Sequence, residues 1–97
     1  MLELLFSPKA IQDLEEIFEY SFHTWSYAQA IKYQDQLYQG VLELCKNPDL
    51  GKQYSFKAGD YRYKKVNRHL IFYRTNIEQC IVIRILHEVM EVNIHLT

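Results

Sequence analysis

Two histidines in the second half of the chain stand beside charged residues: His69 follows Arg68, and His87 precedes Glu88, with Tyr73, Arg74 and Arg84 nearby. This mix of base, acid and cation suits cleavage of RNA. One group would take the proton of a 2′-hydroxyl as it attacks the adjacent phosphate, and arginine would steady the developing charge. If the chain is a ribonuclease, Arg68, Arg84 and His87 are the residues that would carry it. The competing reading is structural, because both histidines fall at the ends of strand-like runs, where a ring nitrogen satisfies neighbouring groups. His23 lies in a break between helical segments and His95 in the tail, further from any such grouping. No two His, Cys or acidic residues fall at a recognised ligand spacing, so neither a metal nor a cofactor is expected. Cys45 and Cys80 lack CxxC or CxxH spacing and sit in apolar surroundings, which makes them reduced core residues.

Charge is divided along the chain. Residues 1–51 hold three lysines and eight acids, a net of −5, whereas residues 52–97 hold eight basic residues and four acids, a net of +4. Within 52–74, Lys52, Lys57, Arg62, Lys64, Lys65, Arg68 and Arg74 face a single acid, Asp60. Such a run draws anionic partners, nucleic acid and acidic protein segments alike, or it is simply a solvated strand pair. Tyr61, Tyr63, Phe72 and Tyr73 interleave with these cations as in a base-stacking surface, but packing in the core or at its boundary is the preferred reading of aromatic strands. Arg84 interrupts Ile81-Val82-Ile83-Arg84-Ile85-Leu86. It must leave the helix-facing side for a binding surface or find a buried partner.

The elements that must position these groups follow from periodicity. Leu2–Phe6 reads as a short strand. Ser7 and Pro8 then supply an N-cap and a first helical residue. Ala10, Leu14, Ile17 and Phe18, with Ile11 beside them, mark an amphipathic helix over about 8–22, with Asp13, Glu15, Glu16 and Glu19 on the wet side. After a break at His23-Thr24-Trp25-Ser26, a second helix over about 26–46 carries a wide stripe through Ala30, Tyr33, Leu37, Val41 and Leu44, and Asn47-Pro48 ends it. So short a break predicts an antiparallel helical hairpin, whose exposed apolar surface a second protein could cover. Residues 49–60 read as a connecting loop. Alternating runs over 61–66, 70–74 and 79–86 predict a three-stranded antiparallel meander, with Ile81, Ile83 and Ile85 turned to the helices. The tail allows a brief turn or helix around Glu88 to Asn93.

The expected fold is therefore α+β, an N-terminal strand, a helical hairpin and then the meander, in one domain spanning 1–97. The 48% hydrophobic content is enough for a dense core in a chain of 97 residues. No basic start with an apolar stretch behind it, and no uninterrupted apolar run near membrane-spanning length, is present, so the cytoplasm is the expected compartment.

Taken in order, the segments resemble the ParE branch of the RelE/ParE toxin superfamily. Ser7-Pro8-Lys9-Ala10 with Asp13-Leu14-Glu15-Glu16-Ile17 and Tyr20 is similar to the family's opening helix, and Trp25, Gln29-Ala30, Tyr33 and Leu37 to its second. Asn47-Pro48 and Gly51 resemble the turn that follows. Gly59, Arg62, Val66 to Arg74, and Arg84-Ile85-Leu86-His87-Glu88-Val89-Met90 complete the pattern. The resemblance implies a cytoplasmic toxin of a type II toxin–antitoxin system, held in check by an antitoxin, ParD-like or similar, encoded beside it. ParE-like members are associated with poisoning DNA gyrase, and RelE-like members with cleaving mRNA on the ribosome. It also implies that antitoxin or target contacts fall among Arg62, Arg68, Tyr73, Arg74, Arg84, His87, Glu88 and Met90, with no catalytic residue in a gyrase inhibitor. Charge reversal at Arg84 is then expected to reduce toxicity and leave the fold intact. The ribonuclease branch tends to place a catalytic Tyr or His near the end. Here no tyrosine follows Tyr73, and the tail offers only His95. Val89 stands where a basic residue is usual, which keeps a third reading open, an inactive homologue that only binds antitoxin.

Overall fold

In the computed structural model, residues 1–56, 59–90 and 92–96 are described. The first strand, β1 (Glu3–Phe6), leads into α1 (Pro8–Thr24), α2 (Tyr27–Lys46) and a 3₁₀ turn over Pro48–Leu50. Four strands follow, β2 (Lys52–Phe56), β3 (Gly59–Val66), β4 (His69–Thr75) and β5 (Gln79–His87), and then α3 (Val92–Leu96). The sequence expectation of a strand, a helical hairpin and a meander holds, with one strand more: part of the stretch read as a loop over 49–60 is β2. Lys52-Gln53-Tyr54 escapes a search for alternation because only its partner in β3 supplies a regular pattern. Of the basic run, Lys57 lies outside the described residues, as does Glu91 within the tail.

Both helices start where side-chain chemistry starts them. The Ala10 amide donates to Ser7 Oγ at 3.0 Å, and the Gln29 amide to Ser26 Oγ at 3.0 Å. Each satisfies an N–H that the first turn would otherwise leave bare. Ser7 also ties the helix to the sheet, its own amide donating to the Val82 carbonyl and its hydroxyl to the Ile83 carbonyl at 2.6 Å.

The sheet order is β1-β5-β4-β3-β2, with β1 parallel to β5 and the other pairs antiparallel. The hairpin covers one face. Ala10, Val41, Leu44 and Cys45 meet Ile71, Tyr73, Cys80, Val82 and Ile85 there. On the opposite face Tyr61, Phe72 and Leu86 pack with Leu96 of α3.

The expectation that Ile81, Ile83 and Ile85 share the helix-facing side fails at a bulge. Phe72 pairs with Arg84 but Tyr73 pairs with Val82, so Ile83 is an extra residue in β5. An inserted residue reverses the alternation. Cys80 and Val82 therefore face the helices before the bulge and Ile85 after it, while Ile83 packs with Phe72 and Leu86.

The β3–β4 connection is two residues long, Asn67-Arg68, with Asn67 at φ 54°. Asparagine tolerates that left-handed backbone better than most residues, and such turns match the twist of the strands they join. This turn places Arg68 and His69 beside α2.

Candidate functional site

A groove of about 640 Å³ opens between α1, the start of α2 and the ends of β4 and β5. Ile17, Trp25, Val89 and Met90 give it apolar walls, and Glu16, Arg68, His69 and His87 supply its charge and hydrogen-bonding groups. Trp25 is 70% exposed and Tyr20 67%. Both rings open to water, whereas Tyr73 and Phe72 are buried.

His69 and His87 face each other across strands, with ring centroids 5.2 Å apart and planes nearly perpendicular. Each has one nitrogen occupied. The Arg68 amide donates to the Tyr33 hydroxyl oxygen at 3.3 Å, and that hydroxyl is hydrogen-bonded to His69 Nδ1 at 2.6 Å. The Val89 amide donates to His87 Nδ1 at 3.3 Å. With Nδ1 of His87 accepting from the Val89 amide, the neutral form of that ring carries its proton on Nε2. Burial first, and then the neighbouring His87, push His69 down to about 4, so it is uncharged at neutral pH. Burial raises Tyr33, which keeps the phenol protonated.

Arg84 takes the second of its two alternatives, the buried partner. Its Nε and Nη2 donate to the two oxygens of Asp13 at 2.8 and 2.9 Å, and the Ile85 amide donates to Asp13 Oδ2 at 2.9 Å. Its Nη1 reaches the His95 carbonyl at 3.0 Å. The side chains of the pair are 14% and 10% exposed, and the Asp13 contact raises the guanidinium's affinity for its proton. The reading of Asp13 as part of the wet helix face is corrected here. β1 ends opposite Val82, which leaves the Ile85 amide without a strand partner on that edge, and the Asp13 carboxylate fills the place.

The remaining expected contact residues separate by what they touch. Tyr73 is fully buried; its hydroxyl accepts from the Gly51 amide and donates to the Pro48 carbonyl, so it presents no surface to a partner. Arg62 donates to the Gly51 carbonyl at 2.9 Å and lies 3.6 Å from Asp49. Arg74 stacks over the Tyr61 ring, 4.4 Å from its centroid. Lys65 pairs with Glu88 at 2.8 Å, a contact that lowers the Glu88 carboxyl below its usual range. Met90 lines the groove. Arg68 is held by its backbone, its amide on Tyr33 and its carbonyl accepting from the Glu88 amide, and its exposed guanidinium bonds to no described residue. Sequence reasoning missed Tyr33, Trp25 and Glu16 as groove residues. Trp25 alone carried a signal, a large aromatic in a turn.

A profile of the family described as "ParE toxin of type II toxin-antitoxin system, parDE" matches residues 4–92, nearly the whole chain, from β1 through β5. The chain belongs to the ParE toxin family of type II toxin–antitoxin systems. The toxin is 33% identical to Toxin ParE1 of Mycobacterium tuberculosis over 90 residues, covering 92% of each chain. It is 30% identical to Toxin ParE1 of Caulobacter vibrioides over 90 residues, covering 93% of each. A chain from the solved structure titled "Chromosomal ParDE TA system from P. aeruginosa" superposes with a TM-score of 0.76 over 90% of the toxin and 96% of that chain, at 18% identity. That likeness establishes the common fold. Among the described residues, no helix of the toxin is long and apolar enough to cross a membrane, and no cluster of three ligating side chains could hold a metal ion.

Proposed function

We propose that the toxin stops growth by acting on DNA gyrase without hydrolysing anything, and that a ParD-like antitoxin neutralises it. Membership of the ParE family carries the reading, because gyrase is the target its resemblance implies. The site supports it: Arg84, one of the groups a ribonuclease would use, is engaged in holding the fold. Arg84 is bound by Asp13 and His95, His69 by Tyr33, and His87 by the Val89 amide. A general base needs a free nitrogen and a proton affinity near the working pH, and His69, at about 4, lacks the second. Glu88, Val89 and Met90 form the exposed turn left for target contact, Val89 being 80% exposed.

The test sets purified toxin against gyrase with supercoiled DNA, and in parallel against translating ribosomes. Cleaved or incompletely supercoiled DNA, with intact mRNA, is the expected result. Codon-dependent mRNA cleavage with gyrase untouched would sink the proposal and support the ribonuclease alternative. No effect in either assay, with antitoxin binding intact, would mark an inactive homologue and point to Val89.

A further inference from the structure

Two thiols in the core take no part in the groove. Cys45, in the last turns of α2, is 1% exposed and Cys80, near the start of β5, is 0% exposed; both are free and belong to one packed cluster. β1 brings them together. The Leu2 amide donates to the Cys45 carbonyl at 3.1 Å and Leu4 pairs with Cys80, so two nearby positions of one strand hold the two cysteines. Their side chains are in hydrogen-bonding contact. Burial first, and then the neighbouring Cys45, push the Cys80 thiol up to about 12. The thiolate is the reactive form, so Cys80 is unreactive while the core is closed.

We infer that Cys45 and Cys80 are a latent disulfide, closed by hydrogen peroxide when β1 opens, which then fastens α2 to β5. β1 is the way in: four residues long and at the edge of the sheet beside β5, it carries Leu2 and Leu4 over the cysteine cluster. Short edge elements open locally at less cost than the core they cover. The chemistry is a two-electron oxidation. With Cys80 held as the thiol, the Cys45 sulfur attacks one peroxide oxygen, the O–O bond breaks, and a sulfenic acid and water form. The Cys80 sulfur then attacks the sulfenic sulfur, the S–O bond breaks, and a second water leaves with the remaining thiol proton. Two thiols and one hydrogen peroxide thus become one disulfide and two waters. When β1 closes again, the bond is buried, and reduction, which needs access to a sulfur, is slowed. The crosslink lies at the end of α2 and the start of β5, whereas the groove uses Gln29 and Tyr33 towards the start of α2 and Ile85 and His87 towards the end of β5. Oxidation therefore lengthens the life of the folded toxin and leaves the groove as it is.

The experiment takes the full-length toxin, purified in reductant, and exposes it to hydrogen peroxide with and without urea below the unfolding midpoint. Peptide mass mapping after alkylation in denaturant identifies the link and separates any methionine sulfoxide; thermal melts and thermolysin digestion follow. The expected result is an intramolecular link between the Cys45 and Cys80 peptides that forms faster in the urea. The linked protein resists thermolysin and melts about 10 °C or more above the reduced one, as for closure of a loop of about 35 residues. Dithiothreitol added in denaturant and then removed restores the lower melting temperature. Cys45→Ala and Cys80→Ala, whatever their own stability, gain nothing from peroxide; because wild type carries the main readout, a variant that fails to fold does not blunt the test. Thiols still free after peroxide in urea, oxygen added at cysteine without a link, or links between molecules each overturn the inference. Equal rates with and without urea overturn entry by opening of β1, and a link that leaves the melting temperature unchanged or lower overturns the fastening of α2 to β5.

Discussion

Asp13 is the residue whose loss the fold should feel most. One carboxylate, 8% exposed as a residue, accepts two bonds from Arg84 and one from the Ile85 amide. Removing either partner of so enclosed a pair leaves the other charge poorly solvated, at a cost of about 3 kcal/mol. Arg84→Glu therefore unfolds the toxin or lowers its melting temperature by about 12 °C or more, contrary to the sequence expectation that charge reversal would spare the fold. A circular-dichroism melt of Arg84→Ala and Arg84→Glu checks this, and an unchanged melting temperature would refute it. His69 sets a pH dependence. Its folded value of about 4 lies below the ordinary value of 6.5, so between the two the unfolded chain binds the extra proton. Stability is thus fully present above about pH 6.5, falls as pH drops toward about 4, and loses nothing further from this group below that. Urea midpoints at about pH 7 and about pH 5 should differ less for His69→Asn, whose side-chain oxygen can still accept from Tyr33. Equal differences for the two proteins would exclude the assignment.

Between elements, two close approaches join the hairpin to the sheet. Tyr73 of β4 ties down the 3₁₀ turn after α2 by accepting from the Gly51 amide at 3.0 Å and donating to the Pro48 carbonyl at 2.6 Å. Tyr73→Phe strands both groups and should cost about 2 kcal/mol, read from a denaturant midpoint. A Cβ at Gly51 would collide with that same hydroxyl, so Gly51→Ala should act in the same direction. Gly40 lets α2 approach β3: a Cβ there would lie 2.7 Å from Val66 Cγ2. Gly40→Ala gains about 1 kcal/mol of helix propensity but forces α2 from the sheet, at a typical cost of about 1–3 kcal/mol. A net loss of stability is expected, and a variant more stable than wild type would show that Val66 rotates away freely.

At the scale of the whole molecule, the hairpin leaves several large apolar side chains in water. Ile11, Tyr20, Trp25, Tyr27, Ile31 and Tyr38 are all exposed along one hairpin. A domain of this size has little stability to spare, so antitoxin binding should raise its melting temperature progressively with antitoxin concentration. Thermal melts across a concentration series check this, and a melting temperature that ignores antitoxin would speak against a folded-state complex. The basic half of the chain suggests strong salt dependence, but Arg62 and Arg84 are already paired and Arg74 stacks on Tyr61. The affinity should accordingly weaken only modestly with salt. A steep fall would mean that the lysines of β3 take part.

Local pattern determined the elements. The Ser7-Pro8 start, the helical stripes, the Asn47-Pro48 stop and the alternating runs each signal within a few residues, and the order of motifs from Ser7 to Met90 pointed to the family. Those signals are short-range, so they stop where two distant segments decide an outcome together. The Asp13–Arg84 pair spans 71 positions and the Tyr33–His69 bond 36, and neither leaves a local trace: Asp13 looks like any wet helix position and Tyr33 like one more residue of a stripe. The bulge at Ile83 comes from the pairing of β4 with β5, and β2 from that of β2 with β3. Side chains adjacent in sequence diverge for the same reason. Arg68 and Arg84 are alike as cations in a basic half, and only the tertiary structure gives one a buried partner and leaves the other facing a groove.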